Sequence, residues 1–136
     1  MYLSKISIKD FRMFSDAVEV SFSKGLNLLV GENGSGKSSV VDAIRALLGE
    51  TEFSRRGITE DDFYSVFCES QKKSSESLFI SGVFSNLTEA QKVEYLSWLD
   101  EDFNAKLSFE VQRTLNRRNN YKQKRWGGNS SNSFFD

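Results

Sequence analysis

The chain has 136 residues, with 18 Lys and Arg against 19 Asp and Glu and a formal net charge of -1; it is the size of one domain, and as a whole neither coats polyanions nor covers a membrane surface. Histidine and proline are absent, which removes His general bases, His-activated nucleophiles and His metal ligands and leaves carboxylates, Lys, Ser or Mg²⁺ for any catalysis. Cys68 is the single cysteine, which excludes an internal disulfide and a zinc-type cluster; MYLSKISIKDF lacks a signal-peptide layout and no apolar run reaches membrane-spanning length, so a cytoplasmic chain without membrane contact is expected.

Ile6 and Ile8 alternate with Lys5, Ser7 and Lys9, and Val18, Val20 and Phe22 alternate with Glu19, Ser21 and Ser23, which predicts two strands with one buried face each. Leu26, Leu28, Leu29 and Val30 follow without alternation, the pattern of a central strand covered on both sides. From Lys37 to Leu48, the positions Val40, Val41, Ile44, Leu47 and Leu48 fall at helical spacing, and Gly49 supplies a stop. Strand, glycine loop and helix thus come in unbroken order.

Thr59 with Asp62 reads as the start of a short acidic helix through Phe63, Val66 and Phe67, with Cys68 packed inside it. Residues 70–77 read as a polar loop. Leu78 to Phe84 is a further apolar strand, and Thr88 with Gln91 forms a capping box that opens an amphipathic helix to about Leu99, Trp98 and Leu99 being core residues. Leu107, Phe109, Val111 and Leu115 alternate with polar residues along a long strand, and the final GGNSSNSFFD reads as a loop or hairpin turn.

The junction between the third strand and the first helix carries the chemistry. Gly31, Gly36, Lys37 and Ser38 satisfy G-x-x-x-x-G-K-[ST], the Walker A pattern. Glycines at 31, 34 and 36 permit left-handed backbone and let successive N–H groups converge on a phosphate. The helix beginning near Lys37 turns its positive end toward the same anion. Lys37 is placed to reach β- and γ-phosphate oxygens and the Ser38 hydroxyl to ligate Mg²⁺. The alternative, a glycine-rich turn that binds nothing, requires a coincidence on the order of once in 200 chains of this size.

These residues also bring a resemblance. LSKISIKDFRMFSDAVEVSFSKGLNLLVGENGSGKSSVVDAIRALLG resembles the N-terminal segment of RecF-like, SMC-like and OLD (overcoming lysogenization defect) ATPases, of the ABC type of P-loop proteins. It covers residues 1–50 through I-x-I-x-D-F-R, N-G-S-G-K-S and D-A-I; GITEDDFYSVF is most similar to the OLD branch. The resemblance implies an α/β fold, a P-loop NTPase N-terminal lobe like an ABC-ATPase head, with an antiparallel β-rich subdomain, and incomplete. Residues 1–50 would be the Walker A lobe and 51–136 a helix plus the β-rich part. It implies ATP and Mg²⁺ as ligands, with Asn33 and Ser35 giving backbone contacts and Ser39 supporting the α-phosphate region. Arg12 would contact phosphate or ribose, or else face solvent in a turn. Implied partners are a second copy, or a C-terminal half of the ATPase, and DNA.

The sequence departs from that family after residue 80. No apolar strand ends in Asp-Glu, and no S-G-G-x signature follows; Ser81-Gly82 in FISGVF sits within a strand pattern. The Walker B carboxylates that complete Mg²⁺ binding and orient water are therefore missing. Gln71 and Gln112 are the glutamines at Q-loop-like positions. Within RTLNRRNNYKQKRW, Arg113, Arg117, Arg118, Lys122, Lys124 and Arg125 stand without an acid, interleaved with Tyr121 and Trp126: a DNA-backbone contact, or a solvated hairpin whose charges block edge aggregation. Glu60, Asp61 and Asp62 are a metal cluster or a first helical turn complementing its dipole, and Arg55 and Arg56 a pair leaning toward a γ-phosphate or solvated loop residues.

The first functional expectation is ATP binding by the N-terminal part of an OLD- or RecF-like ATPase linked to DNA repair or phage defence, without the nuclease domain OLD proteins carry further along. The second is a non-catalytic nucleotide- or DNA-binding module. A small P-loop kinase is disfavoured, because it needs a Walker B-like acid and an arginine-rich lid.

Overall fold

The computed structural model describes residues 1–32, 34–49, 58–68, 70–114 and 121–129. Its centre is a five-stranded antiparallel sheet in the order β2-β1-β5-β6-β7. The strands are β1 (Tyr2–Lys9), β2 (Val18–Ser21), β5 (Ser77–Ser85), β6 (Ala105–Arg113) and β7 (Tyr121–Gly127). The pairing Ile8↔Ile80 and Ile80↔Phe109 sets apolar residues side by side on one face, as strand alternation requires.

Helix α1 (Lys37–Leu48) covers that face and buries Val40, Ala43, Ala46 and Leu47. Its two alanines and Gly82 of β5 let helix and sheet approach: a Cβ at Gly82 would lie 2.6 Å from Leu47 Cδ2 and 2.9 Å from Leu3 Cδ1. The core so formed joins Ile6, Ile8, Phe11, Leu47, Ile80 and Phe109, all 2% exposed or less. Ser81-Gly82 thus lies within β5, and its glycine serves packing.

Several expectations give way. Residues 26–30 form no strand, and Leu26, Leu28 and Val30 are 96%, 82% and 80% exposed. A central strand needs neighbours on both edges, and among the described residues none flanks this one. The Asn27 side chain instead closes a turn, its amide bonding the N–H and C=O of Ser23 at 2.8 and 2.7 Å.

The acidic helix after Thr59 is a single 3₁₀ turn, Glu60–Asp62. Phe63, 2% exposed, then goes extended and forms a bridge with Phe11, so a tertiary contact overrides the helical start. The chain continues as a ribbon of β3 (Ser65–Cys68) and β4 (Gln71–Ser74), where a helix and a polar loop are expected. Cys68 is therefore in a strand, its side chain outside the described residues.

The capping box at Thr88 is present, with Gln91 N–H donating to Thr88 Oγ1 at 3.2 Å and Thr88 N–H to Gln91 Oε1 at 2.9 Å. Helix α2 (Glu89–Glu94) is shorter than predicted and passes into a 3₁₀ turn, Leu96–Trp98. Trp98 and Leu99 are half-buried. Among the described residues no helix is long and apolar enough to cross a membrane.

Candidate functional site

The loop entering α1 has the backbone that the glycine pattern demands. Gly34 and Gly36 stand at φ +84° and +97°, left-handed conformations that favour glycine. At Gly36 packing adds a second reason, since a Cβ would lie 2.8 Å from Phe14 Cζ and 3.0 Å from Met13 Sδ. The N-cap of α1 is Gly36, and among the described residues no side-chain hydrogen bond caps the helix, which leaves its first amides to an outside acceptor. The Lys37 ammonium folds back to donate to the Gly31 carbonyl, so its charge lies on the loop. At Gly31 a Cβ would meet Ser35 Oγ at 2.6 Å.

A hollow of about 150 Å³ lies here, lined by Met13, Gly34, Gly36, Lys37, Ser38 and Ser39. Bare amides, a lysine and hydroxyls are the donor set that a polyphosphate requires, so the residues fit the group the motif implies. Among the described residues no group of three or more His, Cys, Asp or Glu side chains is arranged to hold a metal ion; the exposed Ser38 is the loop's hydroxyl for Mg²⁺. Asn33 lies outside the described residues. Sequence reasoning missed Met13 and Phe14, whose signal was two apolar side chains in an otherwise polar turn.

Arg12, with φ +52°, sits in the turn that roofs this hollow. Its Nε and NH2 groups both donate to Asp62 Oδ1 at 3.3 Å, and NH1 donates to Asp42 Oδ2 on α1. The guanidinium also lies 5.1 Å from the centre of the Phe11 ring. Asp62 is 1% exposed, and its other oxygen accepts the Thr59 N–H at 3.0 Å. Of the acidic trio, Asp62 is thus a capping and ion-pairing residue, while Glu60 and Asp61 are exposed.

The basic stretch divides by face. Arg125 turns to the α1 side, donating to the carbonyls of Leu47 at 3.0 Å and Ala46 at 2.7 Å, with its guanidinium 4.7 Å from the Phe109 ring centre. Burial lowers its pKa from the ordinary guanidinium value, and the group stays charged at neutral pH. Arg113 lies 4.5 Å over the Phe63 ring and 4.0 Å from Glu60. Lys122 and Lys124 are exposed. Arg117 and Arg118 lie outside the described residues, as do Arg55 and Arg56. Gln71 is exposed on β4, and Gln112 on β6 donates to Glu110 at 2.7 Å.

The model of the AAA ATPase domain matches residues 1–134. The chromosome partition protein Smc of Chlorobaculum tepidum is 56% identical over 50 residues, 37% of this chain and 4% of that protein. Smc of Bacillus subtilis is 39% identical over 74 residues, 54% of this chain and 6% of that protein. The chain therefore spans a small fraction of the relatives it matches. A solved structure from work on the ATP-driven dimerization and DNA-stimulated activation of SMC ATPases aligns with 94% of this chain and 71% of its own, at a TM-score of 0.63 and 24% identity. The fold is that of an SMC-like P-loop ATPase head segment, with its antiparallel sheet.

Proposed function

The chain belongs to the AAA ATPase domain family, and from that premise we propose that it binds ATP with Mg²⁺ through residues 31–39 as the N-terminal part of an SMC-like ATPase that works on DNA in the cytoplasm. One observation carries this reading: a glycine-hinged loop runs into the uncapped N-terminus of α1, with Lys37 turned back onto it. In this role the loop amides and Lys37 bind the phosphates, Ser38 offers its hydroxyl to the metal, and Met13 and Phe14 hold Gly36 in position. Mg²⁺, when bound, would neutralise phosphate charge. Arg12, one residue from Met13, is the nearest candidate for an additional nucleotide contact.

Hydrolysis in this reading depends on the carboxylates and signature that the sequence lacks after residue 80. The exposed Leu26, Leu28 and Val30 support a partner that covers them, either a second copy or a C-terminal half of the ATPase. The narrower placement in the OLD branch, with roles in repair or phage defence, rests on the similarity of the segment that becomes the 3₁₀ turn and β3.

Titration of a fluorescent ATP analogue with Mg²⁺ against the chain and its Lys37→Ala variant, with phosphate release followed in the same samples, tests the proposal. Binding that the variant loses, without release, is expected. A folded chain that binds no nucleotide overturns it. Release dependent on Lys37 would refute the need for a second half.

A further inference from the structure

The sheet face opposite α1 has a pattern that the phosphate site does not use. Antiparallel partners share a face, so the register places Lys9, Phe79, Glu110 and Lys124 in one row across β1, β5, β6 and β7. The adjacent row is Ser7, Ser81, Ser108 and Trp126. At spacings of about 4.8 Å between strands, Lys9 on β1 and Lys124 on the edge strand β7 stand about 14 Å apart. On the same face Phe79 of β5 and Trp126 of β7, both half-buried, lean together over β6, with ring centres 5.9 Å apart and planes tilted by 43°.

The charge on this face is one-sided. Lys5, Lys9, Lys106, Lys122 and Lys124 stand there against Glu19 and Glu110. Glu19 is 3.7 Å from Lys5, and Glu110 accepts a hydrogen bond from Gln112. A chain whose net charge is -1 thus concentrates cations on one sheet surface. The two arginines of the basic stretch that α1 and Phe63 engage, Arg125 and Arg113, are not on this face.

We infer that this face binds single-stranded DNA, with bases against the Phe79–Trp126 pair and phosphates along the lysines of β1, β6 and β7. Aromatic rings on an open sheet stack unpaired bases, and clustered lysines bind phosphate by releasing its counterions. A duplex fits poorly, because the major groove admits a helix or a two-stranded ribbon and not a broad sheet. The choice of DNA rests on the proposed reading of the chain as part of a DNA-linked ATPase.

Fluorescence anisotropy with labelled dT20 and a labelled 20-base-pair duplex, on the full chain between 50 and 200 mM salt, tests the inference. The chain should bind dT20 more tightly than the duplex. The exposed pair Lys122→Ala/Lys124→Ala should flatten the slope of log K against log salt by about 1.4, from about 0.7 per phosphate contact in single strands. Phe79→Leu should weaken dT20 binding about five-fold or more. Lys37→Ala should leave dT20 binding intact, so loss of the nucleotide site is read separately. Duplex binding as tight as dT20 overturns the inference, as does an unchanged salt slope in the lysine pair, or no dT20 binding at 50 mM salt by a chain that still binds the ATP analogue. If Phe79→Leu does not fold, the surface lysine pair decides.

Discussion

Arg12 and Asp62 are joined twice: the Arg12 backbone N–H donates to the Asp62 carbonyl at 2.9 Å, and the guanidinium donates to Asp62 Oδ1 at 3.3 Å. The joint fixes the turn after β1 against the segment before β3, and Asp42 brings α1 into the same pairing. Asp62→Ala removes the buried partner and the bond that closes the Thr59 turn. A loss of about 2 kcal/mol is expected, below the range for fully buried pairs because Arg12 is partly exposed. A urea midpoint lowered at constant m-value checks it; a change under about 0.5 kcal/mol would refute the joint.

Arg125 acts as a C-terminal cap supplied from another strand. Its two bonds to the last carbonyls of α1 satisfy acceptors that a helix end leaves open, and its charge complements the negative end of the dipole. Arg125→Ala should cost about 1–3 kcal/mol in thermal or urea unfolding, with Arg125→Lys recovering part. Its pKa is lowered by burial, so the folded state releases the proton first and stability from this group rises only in strongly alkaline solution. Between pH 6 and 9 the cost of Arg125→Ala should therefore stay constant.

Arg113 shows the opposite economy. Among the described residues its Nε and NH2 are buried without a hydrogen-bond partner, while its plane packs over Phe63. Arg113→Met keeps the contact and deletes the stranded donors. The expected result is unchanged or slightly raised stability, by up to about 1 kcal/mol, read from the unfolding midpoint. A loss above 1 kcal/mol would mean that the 4.0 Å approach to Glu60 matters more than the geometry implies.

Two glycine substitutions separate the site from the scaffold. Gly36→Ala meets both a left-handed φ and the Met13–Phe14 roof. It should abolish binding of the ATP analogue and cost about 1–2 kcal/mol in stability. Gly82→Ala pushes on Leu47 and Leu3, costs about 1–3 kcal/mol by overpacking, and should leave affinity for the analogue within about three-fold in the folded fraction. Equal effects of the two on binding would contradict this division.

What could be read from the sequence follows from which forces were local. Ile6 and Ile8 alternate because one face of β1 is buried under α1, Val20 of β2 packs at the edge of the same core, and Gly31 to Ser38 are legible through backbone geometry that favours glycine. The capping box at Thr88 is equally local. The run from Leu26 to Val30 misled because apolar residues report a need for cover and not its presence. Val66 and Phe67 misled because Phe63 is held extended by Phe11, a contact some fifty residues away. Arg125 reads as one more cation in a basic stretch, and only the β7 register turns it toward α1.

The place of β1 between β2 and β5 sets the order in which this molecule can be assembled. Ser4 Oγ donates to the carbonyl of Val83, 79 residues along the chain, and Tyr2 pairs with Ser85. During synthesis β1 emerges well before β5 and has only the short β2 beside it until β5 is made. The glycine loop and α1 lie inside this long closure, so the surface on which α1 rests is absent until the chain passes Ser85. Such non-local pairing slows folding, and it makes the phosphate cradle a late product of folding although its residues precede β5 in the chain.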